Sequence, residues 1–176
     1  MPPSRFVPCL SFIILTACNS GPESYPPPPQ RSLASTRAST LGHYITMGDP
    51  SAESYFVRDI SPGLEAGSWR WTFRRPELRF YLDTADHVKF QMDFSLPQAT
   101  MKDTGPVTLS VFINGRLLGK FRYATEGIKH LERKVPPGYL KAKAVNYVAI
   151  EPDKVWISKE DGAALGFILS GAGFTE

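Results

Sequence analysis

Residues 87 to 94 read His-Val-Lys-Phe-Gln-Met-Asp-Phe, an unbroken alternation of polar and apolar side chains. A period of two puts Val88, Phe90, Met92 and Phe94 on one face of a strand, an arrangement that a helix of about 3.6 residues per turn cannot give. Pro106 to Ile113 alternates in the same way and runs into Asn114-Gly115. Both of those residues accept positive φ, so the pair marks a two-residue hairpin with Arg116 to Tyr123 as the returning strand. Strands with one apolar face need a second layer to bury it, and that layer has to come from the rest of the chain.

Further strand candidates are Tyr55 to Ile60, Trp69 to Phe73, Glu77 to Leu82, Ile128 to Val135, Val145 to Glu151 and Leu165 to Ser170. Turn residues separate them at Ser61-Pro62-Gly63, Arg75-Pro76, Asp103-Thr104-Gly105, Pro136-Pro137-Gly138 and Asp161-Gly162. Short strands at this spacing predict an all-β, antiparallel sandwich. No segment carries a helical repeat of useful length, and there is no internal repeat. The predicted domain is residues 41 to 176, which is 136 of the 176 residues and enough for one core.

The first part of the chain follows different rules. Met1 to Ala17 has one charge, Arg5, and then an apolar stretch from Val7 to Leu15, which is signal-peptide length and too short to span a bilayer. Leu15-Thr16-Ala17-Cys18 resembles the lipobox of bacterial lipoproteins. That resemblance implies cleavage of residues 1 to 17, lipidation of Cys18 and a place in the cell envelope. Asn19 after the cysteine implies the outer membrane in a two-membrane source. Several acyl chains give the stable bilayer anchoring that one does not. Residues 18 to 40 contain Gly21-Pro22, Pro26 to Pro29 and a Ser, Thr, Ala and Arg mixture, which predicts a disordered linker between anchor and domain.

Composition closes several routes. Cys9 and Cys18 are the two cysteines, so a disulfide scaffold and a cysteine zinc finger are both unavailable. With Cys9 cleaved off and Cys18 acylated, none is left for catalysis, and no Gly-x-Ser-x-Gly or Ser-x-x-Lys sits at a plausible turn. His43, His87 and His130 are isolated, without metal-ligand spacing. A net charge of +3 gives no case for nucleic acid.

Glu65 with Trp69-Arg70-Trp71-Thr72, the Val-x-Leu-x-Val strand into Ile113-Asn114-Gly115-Arg116-Leu117-Leu118-Gly119, Asn146 to Ile150, and Asp161 with Leu165-Gly166-Phe167-Ile168-Leu169 together resemble a galactose-binding-like jelly roll, similar to carbohydrate-binding modules. The resemblance spans about Tyr55 to Phe174. It implies a jelly-roll β-sandwich that recognises a carbohydrate or envelope polymer, and its bearing on calcium is a structural ion held by oxygens of Asp49, Asp59, Glu65 and Asp161. No Asp-rich loop of recognised spacing is present.

Aromatic rings stack on the C-H faces of sugars while a few polar groups bind the hydroxyls. Trp156 and Tyr139, beside turns at Pro152 and Pro137-Gly138, are the rim candidates for ligand binding, with Arg70 and Glu65 as polar partners. Trp69 and Trp71 share a strand face opposite Arg70, and Trp71 is expected in the core. A salt bridge from Glu65 to Arg70 or Arg79 is the ordinary alternative for that carboxylate. Arg70, Arg74, Arg75 and Arg79 form a basic cluster that could meet an acidic glycan, though such clusters usually mark a solvated face. The leading expectation is a non-enzymatic, lipid-anchored, glycan-binding protein. Its alternatives are a structural or assembly lipoprotein that binds another envelope protein, and a small glycan-active hydrolase using two of Glu65, Asp83, Asp86, Asp153, Glu160 and Asp161.

Overall fold

The computed structural model describes residues 41 to 175; the signal segment, Cys18 and the linker expected at 18 to 40 lie outside the described residues. The strands are β1 (Tyr44–Thr46), β2 (Phe56–Ile60), β3 (Arg70–Leu82), β4 (Lys89–Leu96), β5 (Val107–Ile113), β6 (Arg116–Tyr123), β7 (Gly127–Lys134), β8 (Ala144–Pro152), β9 (Trp156–Ile157), β10 (Ala164–Leu165) and β11 (Ile168–Thr175). A short 3-10 helix, Ala52–Tyr55, precedes β2, and one α-helix, α1 (Gln98–Thr104), links β4 to β5. The fold is all-β, as the alternation predicts, and every described strand pairing is antiparallel.

Nine strands form one sheet in the order β6-β5-β8-β3-β11-β4-β7, with β1 added to β11 and β2 to β3. The sheet bends at β3, whose first residues pair with β11 and whose last six pair with β8. Its two halves thereby face each other. Phe80 of β3 meets Phe174 of β11 edge-on at 5.5 Å, Phe174 meets Phe90 of β4 at 5.8 Å, and Phe94 meets Phe167 at 5.6 Å. Val107, Leu109, Val111 and Ile113 of β5 add the opposite wall, each fully buried. Burial of each such side chain contributes about 1.5–3 kcal/mol, so the thiol-free core carries the fold.

The Asn114-Gly115 turn forms as expected, with φ of 48° and 79°. Three local expectations need correction. Trp69 to Phe73 and Glu77 to Leu82 are not two strands divided at Arg75-Pro76 but one strand of 13 residues that runs through a buried Pro76. Pro76 falls where β3 has no paired residue in either β2 or β8, so its missing N–H costs no ladder bond. The Arg75 N–H beside it is taken by Asp59 Oδ2 at 2.8 Å. Asp103-Thr104-Gly105 is the end of α1 rather than a simple turn, with the Gly105 N–H closing onto the Met101 carbonyl at 2.9 Å. Seven residues are too few to show a helical period, but Pro97 before them and Gly105 after them mark its ends. Leu165 to Ser170 is broken at Gly166, where an added Cβ would stand 2.5 Å from the Phe73 carbonyl oxygen.

Candidate functional site

The register of β3 decides which of its side chains faces outward. Leu169 pairs with Arg70 and with Phe94, and all three are buried, so Arg70 points into the sandwich. Ile168 pairs with Trp71 and with Ser95, and Ser95 in turn pairs with Ile128. Ile128, Ser95, Ile168 and Trp71 therefore stand in one row on the outer face of β7, β4, β11 and β3. Three interstrand steps make that row roughly 14 Å long. Ile128 is 88% exposed and Trp71 is half-buried. Trp69, two residues back, meets Trp71 edge-on with ring centres 6.2 Å apart. The expectation that Trp71 is a core residue is thus corrected: Arg70 and Thr72 occupy the inward positions on either side of it.

Those inward polar groups are matched locally. Arg70 is 5% exposed; its Nη1 donates to the carbonyls of Ser61 and Pro62, faces Glu53 Oε1 at 3.4 Å, and its guanidinium lies 5.2 Å from the Phe56 ring centre. The Thr72 hydroxyl donates to the Phe167 carbonyl at 2.8 Å and accepts from the Phe167 N–H at 3.0 Å. The Thr72 hydroxyl and Arg70 Nη1 are thus satisfied, which offsets the cost of burying them, while Arg70 Nε is buried without a hydrogen-bond partner.

A second outer row lies two residues along the strands, roughly 7 Å from the first. Here Asp93 pairs with His130 on one side and Gly171 on the other. His130 Nδ1 lies 2.7 Å from Asp93 Oδ1, and the Tyr44 hydroxyl donates to Asp93 Oδ2 at 2.9 Å. Burial alone would raise the Asp93 pKa, but the bonds from His130 and Tyr44 outweigh it and hold the carboxyl below its usual range. An ionised carboxylate only accepts, so His130 Nδ1 carries the hydrogen in this pair. Burial, then the bond to Asp93 and its charge, push Tyr44 up to about 12. Apolar shelf and charged triad together offer stacking area beside hydrogen-bonding groups, the combination that small polar ligands with apolar faces require.

The residues singled out from sequence do not assemble into one rim. Trp156 lies in β9, where its Nε1–H donates to Asp103 Oδ2 at 2.8 Å at the end of α1. Tyr139 lies near the β5–β6 turn, with the Arg116 guanidinium 5.6 Å from its ring centre and its hydroxyl donating to the Leu117 carbonyl at 3.3 Å. Asp153, three residues before Trp156, bonds the Thr108 N–H near one end of β5, while Asn114 bonds the Tyr139 carbonyl at the other. Six residues of strand, roughly 20 Å, separate these two neighbourhoods. Glu65 is exposed in the Glu65–Trp69 hairpin turn, and the ion pair of Arg70 is with Glu53 rather than with it. Arg79, which donates to the Ser54 carbonyl at 2.9 Å, and Arg75, over Phe112 at 5.5 Å, are exposed whereas Arg70 is buried, so the three do not share one surface.

The oxygen groups considered for calcium are also dispersed. Asp49 accepts from the Ser51 hydroxyl and N–H, which lower its pKa, and Asp161 is lowered by Ser158 and by the Ala163 N–H. Asp59 is engaged by Arg75. Among the described residues no three His, Cys, Asp or Glu side chains converge as a metal site.

No protein-family model and no curated protein matches the chain. Solved structures similar to it include a family 35 carbohydrate-binding module from an environmental isolate, with TM-score 0.48, 12% identity, and coverage of 76% of this chain and 92% of that one. A second is the family 35 module from Paenibacillus barcinonensis, at TM-score 0.41 and 13% identity, covering 77% of this chain and 99% of the other. A family GH115 4-O-methyl-α-glucuronidase with specificity for decorated arabinogalactans is similar at TM-score 0.45 and 14% identity, over 77% of this chain and 18% of the enzyme.

Proposed function

We propose that the chain is a non-enzymatic, glycan-binding β-sandwich held in a bacterial cell envelope by lipid on Cys18. The observation that carries the binding half of this reading is the half-buried Trp71, set in line with Ile168 and Ile128 on a sheet face and met edge-on by Trp69. Pyranose rings present apolar C-H faces to such a shelf, and Asp93 with His130 stands one row away to bond hydroxyls. The non-catalytic half is supported by four of the six carboxylates weighed for hydrolysis. Glu65 sits on an exposed turn, Asp153 is tied to the Thr108 N–H, and Glu160 and Asp161 lie in the β9–β10 turn. The anchor rests on the Leu15-Thr16-Ala17-Cys18 sequence.

Two experiments test the two halves separately. Glycan-array binding of the full chain, repeated with Trp71→Ala, should reveal ligands whose binding the substitution removes; ligands retained in full by that variant would sink the shelf. Fatty-acid labelling of cells expressing the wild type and Cys18→Ala should mark only the wild type, and an unlabelled wild type would remove the anchor.

A further inference from the structure

We propose that the free edges of β6 and β7 form a docking groove for an extended acidic peptide strand of another protein. These strands end the nine-stranded sheet: β6 pairs only with β5, and β7 only with β4. Each therefore leaves one side of its backbone N–H and C=O groups without a ladder partner. A groove of about 410 Å³ lies between them, lined from β6 by Phe121 and Tyr123 and from β7 by Leu131 and Arg133. The Arg133 guanidinium stands 5.1 Å from the Phe121 ring centre, so the two edges face each other across one layer of side chains.

Charge selects the occupant. From Arg116 to Lys134 there are six Lys and Arg side chains against two carboxylates. One of those two, Glu132, is engaged by Lys89 at 3.0 Å. Among the described residues no carboxylate forms an ion pair with Lys120, Arg122, Lys129 or Arg133. Lys129 makes its bonds to neutral oxygens, the Thr125 hydroxyl and the Glu126 carbonyl.

The alternation of β7 sets the sequence pattern of the partner. Leu131 pairs with Met92 and is buried, so Lys129 and Arg133, two residues to either side, share its inward face. A strand laid along β7 meets that face with every second residue, and the matching order is acidic, apolar, acidic at positions i, i+2 and i+4. Its backbone takes up the unpaired edge groups, a periodic match that a polysaccharide chain lacks. A second copy of β7 is disfavoured because it would bring Lys129, Arg133 and Lys134 against their own kind. The charge that keeps the sheet from pairing with itself thus favours an acidic strand. The groove takes the inner face of β7 and the tryptophan shelf its outer face, with His130 bordering both.

The test is fluorescence anisotropy with the full chain and a labelled peptide containing Glu-Thr-Val-Thr-Glu. Saturable binding is expected, falling at least about tenfold in the Lys129→Glu/Arg133→Glu variant and in a Gln-Thr-Val-Thr-Gln peptide. Lys120→Glu/Arg122→Glu, on the other edge, should also weaken it, whereas Lys141→Glu/Lys143→Glu should not. Thermal melts by circular dichroism confirm that each variant is folded. Equal binding of a scrambled peptide of the same composition, or alginate binding through Lys129 and Arg133 with no peptide binding, would overturn the proposal.

Discussion

Tyr44 reaches Asp93 across the backbone of β11, and two glycines make the passage. Tyr44 pairs with Gly173 and Asp93 with Gly171, so the ring lies over β11 on its way to the carboxylate. A Cβ on Gly171 would stand 2.5 Å from the Tyr44 hydroxyl oxygen. Gly171→Ala should therefore displace the ring and break the bond to Asp93, costing about 1–3 kcal/mol as an overpacked site. Urea unfolding of the variant measures the cost, and an unchanged midpoint would show that the ring has another resting place.

The same contact gives an alkaline limit. In the unfolded chain Tyr44 ionises near its ordinary value of 10.0, and in the folded protein it holds its proton to about 12. Stability from this group is thus complete below pH 10 and is lost as pH rises from there through about 12, because the unfolded state gives up its proton first. Tyr123 is also raised by burial and contributes in the same direction. Tyr44→Phe should flatten the fall in the urea midpoint between pH 9 and 12 without abolishing it. A fall as steep as that of the wild type would separate Tyr44 from the effect.

On the acid side the sign reverses. The Asp93 pKa is lowered in the folded state, so its contribution is present above the unfolded carboxylate value and fades as pH falls through the folded one. Asp93→Asn should lose stability at pH 7 and show a shallower decline below pH 4 than the wild type. Parallel acid titrations of the two proteins would contradict this.

A buried amide holds the other end of the sandwich. Asn146 is fully buried; its Oδ1 accepts from Asn114 Nδ2 and the Lys141 N–H, both at 2.8 Å, and its Nδ2 donates to the carbonyls of Lys141 and Ala144. Asn114 in turn bonds the Tyr139 carbonyl and the Tyr147 N–H, tying the β5–β6 turn to β8 and to the loop before it. Asn146→Leu keeps the volume and strands those partners, at a cost of about 3 kcal/mol or more. Chemical denaturation would show it, and a loss under 1 kcal/mol would mean that water replaces the amide.

What the sequence disclosed depended on how local each decision was. Alternation in β4 and β5 and the Asn-Gly turn are fixed within a few residues, so the strands and the sandwich were legible. The pairing of Asp93 with His130 depends on β4–β7 register over 37 residues of chain, and the contact of Tyr44 with Asp93 on a β1–β11–β4 arrangement spanning 49. Neither leaves a mark in the composition of its own strand. Ring size alone suggests burial for Trp71, whereas it is Arg70 that turns inward, onto the Ser61 and Pro62 carbonyls and the Phe56 ring. Tyr139 and Trp156 sit beside turns, but at opposite ends of β5.

The tryptophan shelf makes the most direct demand on the proposed function. Trp71 faces outward from β3, so its truncation leaves Phe80, Phe94 and Phe174 in the core untouched. Trp71→Ala should accordingly melt within a few degrees of the wild type while weakening glycan binding by at least about tenfold, the loss of about 1.4 kcal/mol expected for one stacking ring. Ile128→Ala, at the far end of the same row, should produce a smaller loss in the same ligands, and Trp156→Ala, bonded to Asp103 at the end of α1, none. Calorimetric titration of the three variants against one bound oligosaccharide gives this order if the ligand lies along the row. Binding abolished by Trp156→Ala and spared by Trp71→Ala would move the site to the β9–β10 end of the molecule.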